Sequence, residues 1–174
     1  MKNKDTYIIV GTALLIGVSV GIIYYISKDS GSGGVSGKKT KSILFIGDSN
    51  TFANFSYADQ LKKMFPDLAI KKIAKNGANT AWMKQQLEQE LKNNKYDVIS
   101  ILGGSNDVYG GVKLDVTKNN LDSMYKLAHD NGSKVIAVTP PNKDFYVSKT
   151  EPKQVILKDL VGYIKSNKNK DCTS

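Results

Sequence analysis

The sequence predicts an α/β domain built on a parallel sheet with helices on both faces, preceded by one membrane-spanning helix. Three observations carry that prediction. From Ser42 onward, short apolar runs alternate with segments of helical spacing. The run Ile43 to Ile46 is continuously apolar, as in a strand buried on both faces. An uninterrupted apolar stretch, Tyr7 to Ile26, comes before the whole pattern.

The chain has 174 residues, of which 40% are apolar, enough for one modest packed domain plus an anchor. The net charge is +9, and every basic residue is lysine. These lysines are scattered, and without arginine there are no bidentate contacts to phosphates or base edges, so nucleic acid is not an expected partner. A solvated lysine surface is the simplest account. Attraction to an anionic membrane surface or cell-wall polymer is the other.

At 1.5 Å per residue, Tyr7 to Ile26 spans roughly 30 Å as a helix, the thickness of a bilayer's hydrocarbon core. Lys2, Lys4 and Lys28 flank it, and Tyr7, Tyr24 and Tyr25 sit where interfacial aromatics belong. A cleaved signal peptide is the alternative, disfavoured by the length of the stretch and the lack of a clear small-x-small cleavage site. Ala13, Gly17 and Gly21 recur every four residues and would allow self-association in a bilayer. The expected organisation is therefore an anchor over 1–27, a Gly/Ser/Lys linker over 28–41 and an α/β domain over 42–174. An extracytoplasmic domain is expected, although lysines on both sides leave the orientation open.

Within the domain the elements follow in order. The strand Ile43 to Ile46 precedes a helix marked by Tyr57, Leu61, Met64 and Phe65. Ala69 to Ala74 is a second strand, and Met83, Leu87 and Leu91 mark a second helix. Val98 to Leu102 is a third strand, followed by a helix bearing Leu121, Met124, Tyr125 and Ala128, which Gly132 closes. Val135 to Val138 is a fourth strand. Leu157, Leu160, Val161 and Ile164 lie on a last helix, opened by Pro152.

Ligands of such sheets sit beyond the carboxyl ends of the strands. Four polar, turn-forming segments leave those ends: Gly47-Asp48-Ser49-Asn50, Asn76-Gly77-Ala78-Asn79-Thr80, Gly103-Gly104-Ser105-Asn106-Asp107 and Thr139-Pro140-Pro141-Asn142. Each alone is ordinary loop composition. The order and register of the first and third are not.

Gly47-Asp48-Ser49 after the first strand resembles the GDS motif of the SGNH (GDSL-like) hydrolases. Gly104-Ser105-Asn106-Asp107 resembles that family's GxND motif, and Gly77 is similar in position to its glycine block. The resemblance covers most of Ser42 to Ser174 and implies a flavodoxin-like three-layer α/β/α fold. It further implies that Ser49 is a nucleophile and that the Ser49 and Gly77 backbone N–H groups and the Asn106 amide form an oxyanion hole. Three donors converging on developing negative charge are what acyl transfer needs. Gly47, Asp48, Gly104 and Asp107 would support them: Gly47 by allowing the turn, Asp48 by orienting it, and Gly104 by letting Asn106 point back.

A serine nucleophile needs an adjacent base. In the family this is a histidine in a late Asp-x-x-His segment after a fifth strand, and nothing here matches it. The single histidine, His129, stands in the helix before the fourth strand, toward the opposite sheet edge, and is expected to be an exposed residue at a helix C-terminus. The domain therefore reads as C-terminally incomplete, with an open sheet edge needing cover. The leading expectation is a membrane-anchored ester hydrolase acting on an acylated small molecule, glycan or envelope component, its base supplied from elsewhere. The alternative is an inactive binding or structural module. No cofactor is expected, since the chain has no GxxxxGK[ST] and no strand is followed by GxGxxG. No metal is expected either, because one histidine and one cysteine, Cys172, are too few for zinc.

Overall fold

A computed structural model describes residues 8–10, 41–54, 56–141 and 152–167. The strands are β1 (Ile8–Val10), β2 (Ser42–Gly47), β3 (Ala69–Ala74), β4 (Val98–Leu102) and β5 (Lys134–Val138). The described helices are α1 (Ser49–Phe52), α2 (Tyr57–Met64), α3 (Thr80–Leu91), α4 (Ser105–Tyr109), α5 (Leu114–Asp130) and α6 (Pro152–Ser166). All strands run parallel, in the order β1-β5-β4-β2-β3.

Every residue of β4 is buried, as are Ile43 to Gly47 of β2, which explains why both read as continuous apolar runs. Alternate side chains feed two separate cores. Leu44, Ile46, Ile99, Ile101 and Ala137 pack with residues of α3, α5 and α6, including Leu87, Met124 and Leu160. Ile43, Phe45, Val98, Leu102 and Ile136 pack with Tyr57, Ala58 and Leu61 of α2. Phe45 meets Tyr57 edge to face, with ring centroids 5.3 Å apart.

Local chemistry sets the element ends. At the amino edge of the sheet, the Ser42 backbone N–H and hydroxyl donate to Asp97 Oδ2 at 2.8 and 2.9 Å, while Lys134 N–H donates to the Asp97 carbonyl at 3.0 Å. These bonds level β2, β4 and β5. Helix α5 ends as the glycine predicted. Gly132 is left-handed (φ +87°), its N–H donating to the His129 carbonyl, and Ser133 N–H donates to the Ala128 carbonyl. Pro152 opens α6. On β3, at the edge of the sheet, two lysines point to opposite faces. Lys71 pairs with Glu90 of α3 and Lys72 with Asp59 of α2, both at 2.8 Å.

One expectation needs correcting. Ile8–Val10 is not the first turn of a membrane helix but a strand paired with β5, Ile8 opposite Ile136 and Val10 opposite Val138. Three successive β-branched residues suit an edge strand, and the outer N–H and C=O groups of β5 need partners. The open edge expected beyond the fourth predicted strand is thus covered by β1. A membrane span over 7–26 cannot include these residues while they pair with β5. The rest of that stretch, with Ala13, Gly17 and Gly21, lies outside the described residues, as do linker residues 28–40, Asn142 and Cys172. Among the described residues no helix is long and apolar enough to cross a membrane.

The Lys72–Asp59 pair makes stability depend on pH. The Lys72 ammonium holds the Asp59 carboxyl below its ordinary value of 3.8, burial opposes this, and the Ser56 hydroxyl adds to the lowering. A depressed native value stabilises the fold above the ordinary value, and that contribution is lost as pH falls through the native one. Lys72→Met should therefore cost about 0.2–1 kcal/mol at pH 7, the range for ion pairs near the surface. Urea denaturation midpoints of variant and wild type should converge as pH falls below the ordinary carboxylate value, through the lower native one.

Candidate active site

Three of the four loops singled out in the sequence leave the sheet at one level. Gly47, the last residue of β2, lies opposite Ala74 at the end of β3 and Leu102 at the end of β4. The chain passes from β2 outward to β3 and then back across to β4, so strand order reverses between β2 and β4. That reversal is where sheets of this kind open a crevice. Ser49 follows β2 there, and Asn106 follows β4.

Ser49 is exposed and is the first residue of α1, so its N–H has no acceptor within the helix. Asp48, fully buried, caps that helix. Its Oδ1 accepts from Asn50 N–H and from the Asn50 amide, both at 2.9 Å, and its carbonyl accepts from Thr51 and Phe52 N–H. Asp48 thus caps the turn that carries Ser49.

Gly47 makes room for the turn. Its φ is not positive, so the turn does not require glycine's conformational freedom. What it requires is space: a Cβ there would lie 2.1 Å from Thr51 Oγ1 and 2.9 Å from the Leu102 carbonyl oxygen. Thr51 is buried against the strand, its hydroxyl 3.1 Å from that of Tyr57. Burial, eased by the hydrogen bond to Thr51, raises the Tyr57 phenol to about 12, so it stays protonated beneath the turn.

The loop after β4 turns at Gly104, which is left-handed at φ +106°. A Cβ there would also meet Leu160 of α6 at 2.6 Å, so both conformation and space demand glycine. Asn106, half-buried, donates from Nδ2 to the Ala78 carbonyl at 2.8 Å, which ties the β4–α4 loop to the β3–α3 loop and leaves one amide hydrogen over. Gly77 is left-handed at φ +70°, exposed and uncrowded.

Asp107 is almost wholly buried and accepts from Thr80 N–H at 2.9 Å and from the Thr80 hydroxyl at 2.5 Å. Asn120 of α5 in turn donates to the Thr80 hydroxyl at 3.0 Å. Burial raises the Asp107 carboxyl above the ordinary value, the Thr80 bonds work against this, and the charge of Asp48 adds to the rise. A second bond spans the loops: the Ser105 hydroxyl donates to Asp48 Oδ2 at 3.1 Å. Thr80 and Ser105 were not singled out individually from sequence, because their partners are 27 and 57 residues away and no local pattern signals such pairs.

His129 lies in the last turn of α5, which feeds the amino end of β5, on the edge opposite Ser49. It is half-buried rather than exposed. The structure thus gathers Ser49, Gly77 and Asn106 at one end of the sheet and leaves the only histidine at the other. Among the described residues, no cluster of three or more His, Cys, Asp or Glu side chains could hold a metal ion.

The family model for the GDSL-like lipase/acylhydrolase family matches residues 45–164, most of the domain and all four loops. The chain belongs to that family. Solved structures agree on the fold of this GDSL-like hydrolase. The acetyl xylan esterase AlAXEase is 15% identical, with 72% of this chain and 71% of that one covered and a TM-score of 0.64. A member of the lipolytic G-D-S-L family from Veillonella parvula DSM 2008 is 16% identical over 73% and 72%, also at 0.64. TesA is 20% identical, with 74% of each chain covered and a TM-score of 0.62. No curated protein matches by sequence.

The packing around Gly47 gives a direct test. Gly47→Ala should cost about 1–3 kcal/mol, the range for overpacking a closed site, because backbone as well as Thr51 stands in the way. Gly47→Ala combined with Thr51→Ala, which removes the hydroxyl but leaves the residue 51 Cβ and the Leu102 carbonyl in the way, should recover only part of that loss. Thermal unfolding of the two variants checks both outcomes.

Proposed function

We propose that this GDSL-like hydrolase is a serine ester hydrolase, with Ser49 as nucleophile and an oxyanion hole made of the Ser49 and Gly77 N–H groups and the Asn106 amide. The observation that carries this reading is the placement of Ser49. It stands exposed at the start of α1, at the switch point, beside a loop whose Asn106 is already anchored to the loop of Gly77.

Ser49 Oγ attacks the acyl carbonyl carbon while its proton passes to a base. The carbonyl oxygen becomes an anion within reach of the three donors, which stabilise it most when the charge is greatest. Collapse breaks the bond to the alcohol, which leaves with the proton. Water then attacks the acyl-enzyme by the same route, releasing the acid and regenerating Ser49. Neither Asp48 nor Asp107 acts as that base, since Asp48 is closed in by Asn50 and Ser105 and Asp107 by Thr80. Ser49 still needs a base, and among the described residues the one histidine, His129, lies at the other end of the sheet. The acyl esters of small molecules, glycans or envelope polymers form the substrate class. Attachment to a membrane rests on the apolar composition of 7–26 alone, and the pairing of Ile8–Val10 with β5 weighs against it.

A second reading is favoured by the position of His129: a family member that has kept the pocket for binding and does no chemistry. Chemical rescue separates the two. Imidazole supplied in solution should speed fluorophosphonate labelling of the full chain, with the adduct mapped to Ser49 by mass spectrometry. Ser49→Ala should abolish it, and Asn106→Ala should lower the rate by about 10²–10³. A chain that stays unlabelled at high imidazole, or labels equally without Ser49, belongs to the binding reading.

A further inference from the structure

Asp48 is a fully buried carboxylate, and among the described residues no ion pair reaches it. A buried carboxylate is tolerated only where hydrogen-bond donors replace the lost water. Here they come from two loops. Asn50 supplies Oδ1 with its N–H and its side-chain amide, and Ser105 supplies Oδ2 with its hydroxyl. Ser105 is 7% exposed and opens α4, yet its hydroxyl is directed away from its own helix, which has no side-chain cap.

We propose that Ser105 is a positioning residue for the nucleophile turn, acting through Asp48. This rests on reading Ser49 as the nucleophile. The physical link is short. Asp48 caps α1 through Asn50 N–H, one residue beyond Ser49, so the carboxylate's orientation fixes the first turn on which Ser49 sits. Removing the Ser105 hydroxyl deprives Oδ2 of its donor inside the protein, and the carboxylate turns toward water or toward other donors. The cap on Asn50 loosens, and Ser49 loses its register with Asn106. Ser105 precedes Asn106 in the chain, so one loop delivers the oxyanion amide and also holds the nucleophile turn in place. The residue between Gly104 and Asn106 is therefore a coupling between two halves of the site rather than a spacer.

The test uses the full chain with Ser105→Ala and Ser105→Thr, the latter keeping the hydroxyl. Amide hydrogen exchange at Asn50, followed by NMR, should rise about tenfold or more in Ser105→Ala, in line with the loss of a hydrogen bond to a charged group. Amides of Leu44 to Ile46 should keep their protection, and Ser105→Thr should stay near wild type. The imidazole-assisted labelling rate of Ser49 should fall about tenfold in Ser105→Ala and recover in Ser105→Thr. Unchanged exchange at Asn50, exchange rising equally in β2, or a Ser105→Thr that behaves like Ser105→Ala would overturn the proposal. If wild-type Ser49 takes no label at all, the nucleophile reading fails, while exchange at Asn50 still decides whether Ser105 governs the turn.

Discussion

The common level at which β2, β3 and β4 end is the constraint on which the rest of this molecule depends. Gly47 lies between Ala74 and Leu102, and the loops that follow these three residues carry Ser49, Gly77 and Asn106. That level is fixed from the far edge, where Asp97 receives the first residue of β2 and the first of β5. A slip of one residue in parallel pairing would turn Ile43 and Phe45 from one core to the other. The two cores therefore lock the register, and the register places the loops.

Upon that frame the site is tied by polar bonds running between loops. Asn106 binds the Ala78 carbonyl, Asp107 the start of α3, and Asp48 both its own helix and Ser105. Burial makes the Asp107 carboxyl costly to ionise, and the charge of Asp48 adds to that cost. Bonds of this sort specify one arrangement of loops, because each donor left unpaired in a rearranged site would carry a desolvation penalty.

The sheet edge beyond β5 is the other consequence of the strand order. Parallel strands leave a row of unpaired groups at each edge. Lys71 and Lys72 make β3 a charged edge, held to the helices on either face, whereas β5 takes Ile8–Val10 as a partner. The same apolar, β-branched composition that marked this segment as membrane-spanning makes it a competent strand. Composition alone does not choose between the two, because bilayer and sheet edge both reward apolar residues.

Much of the fold was legible because its signals are local. Continuous apolar runs mark strands buried on two faces, Gly132 and Pro152 mark helix ends, and the glycines and asparagines after each strand mark the loops that gather at one edge. Motif order placed Ser49, Gly77 and Asn106 on loops at one edge for the same reason. The sequence by itself also placed His129 toward the amino end of a strand, on the sheet edge opposite Ser49. Tertiary structure alone decided why Gly47 must be glycine, what holds Asp48 and Asp107, and where Ile8–Val10 goes. Those answers depend on atoms that meet across tens of residues of chain, such as Ser105 with Asp48 and Thr80 with Asp107, and no periodicity or spacing encodes a contact of that range.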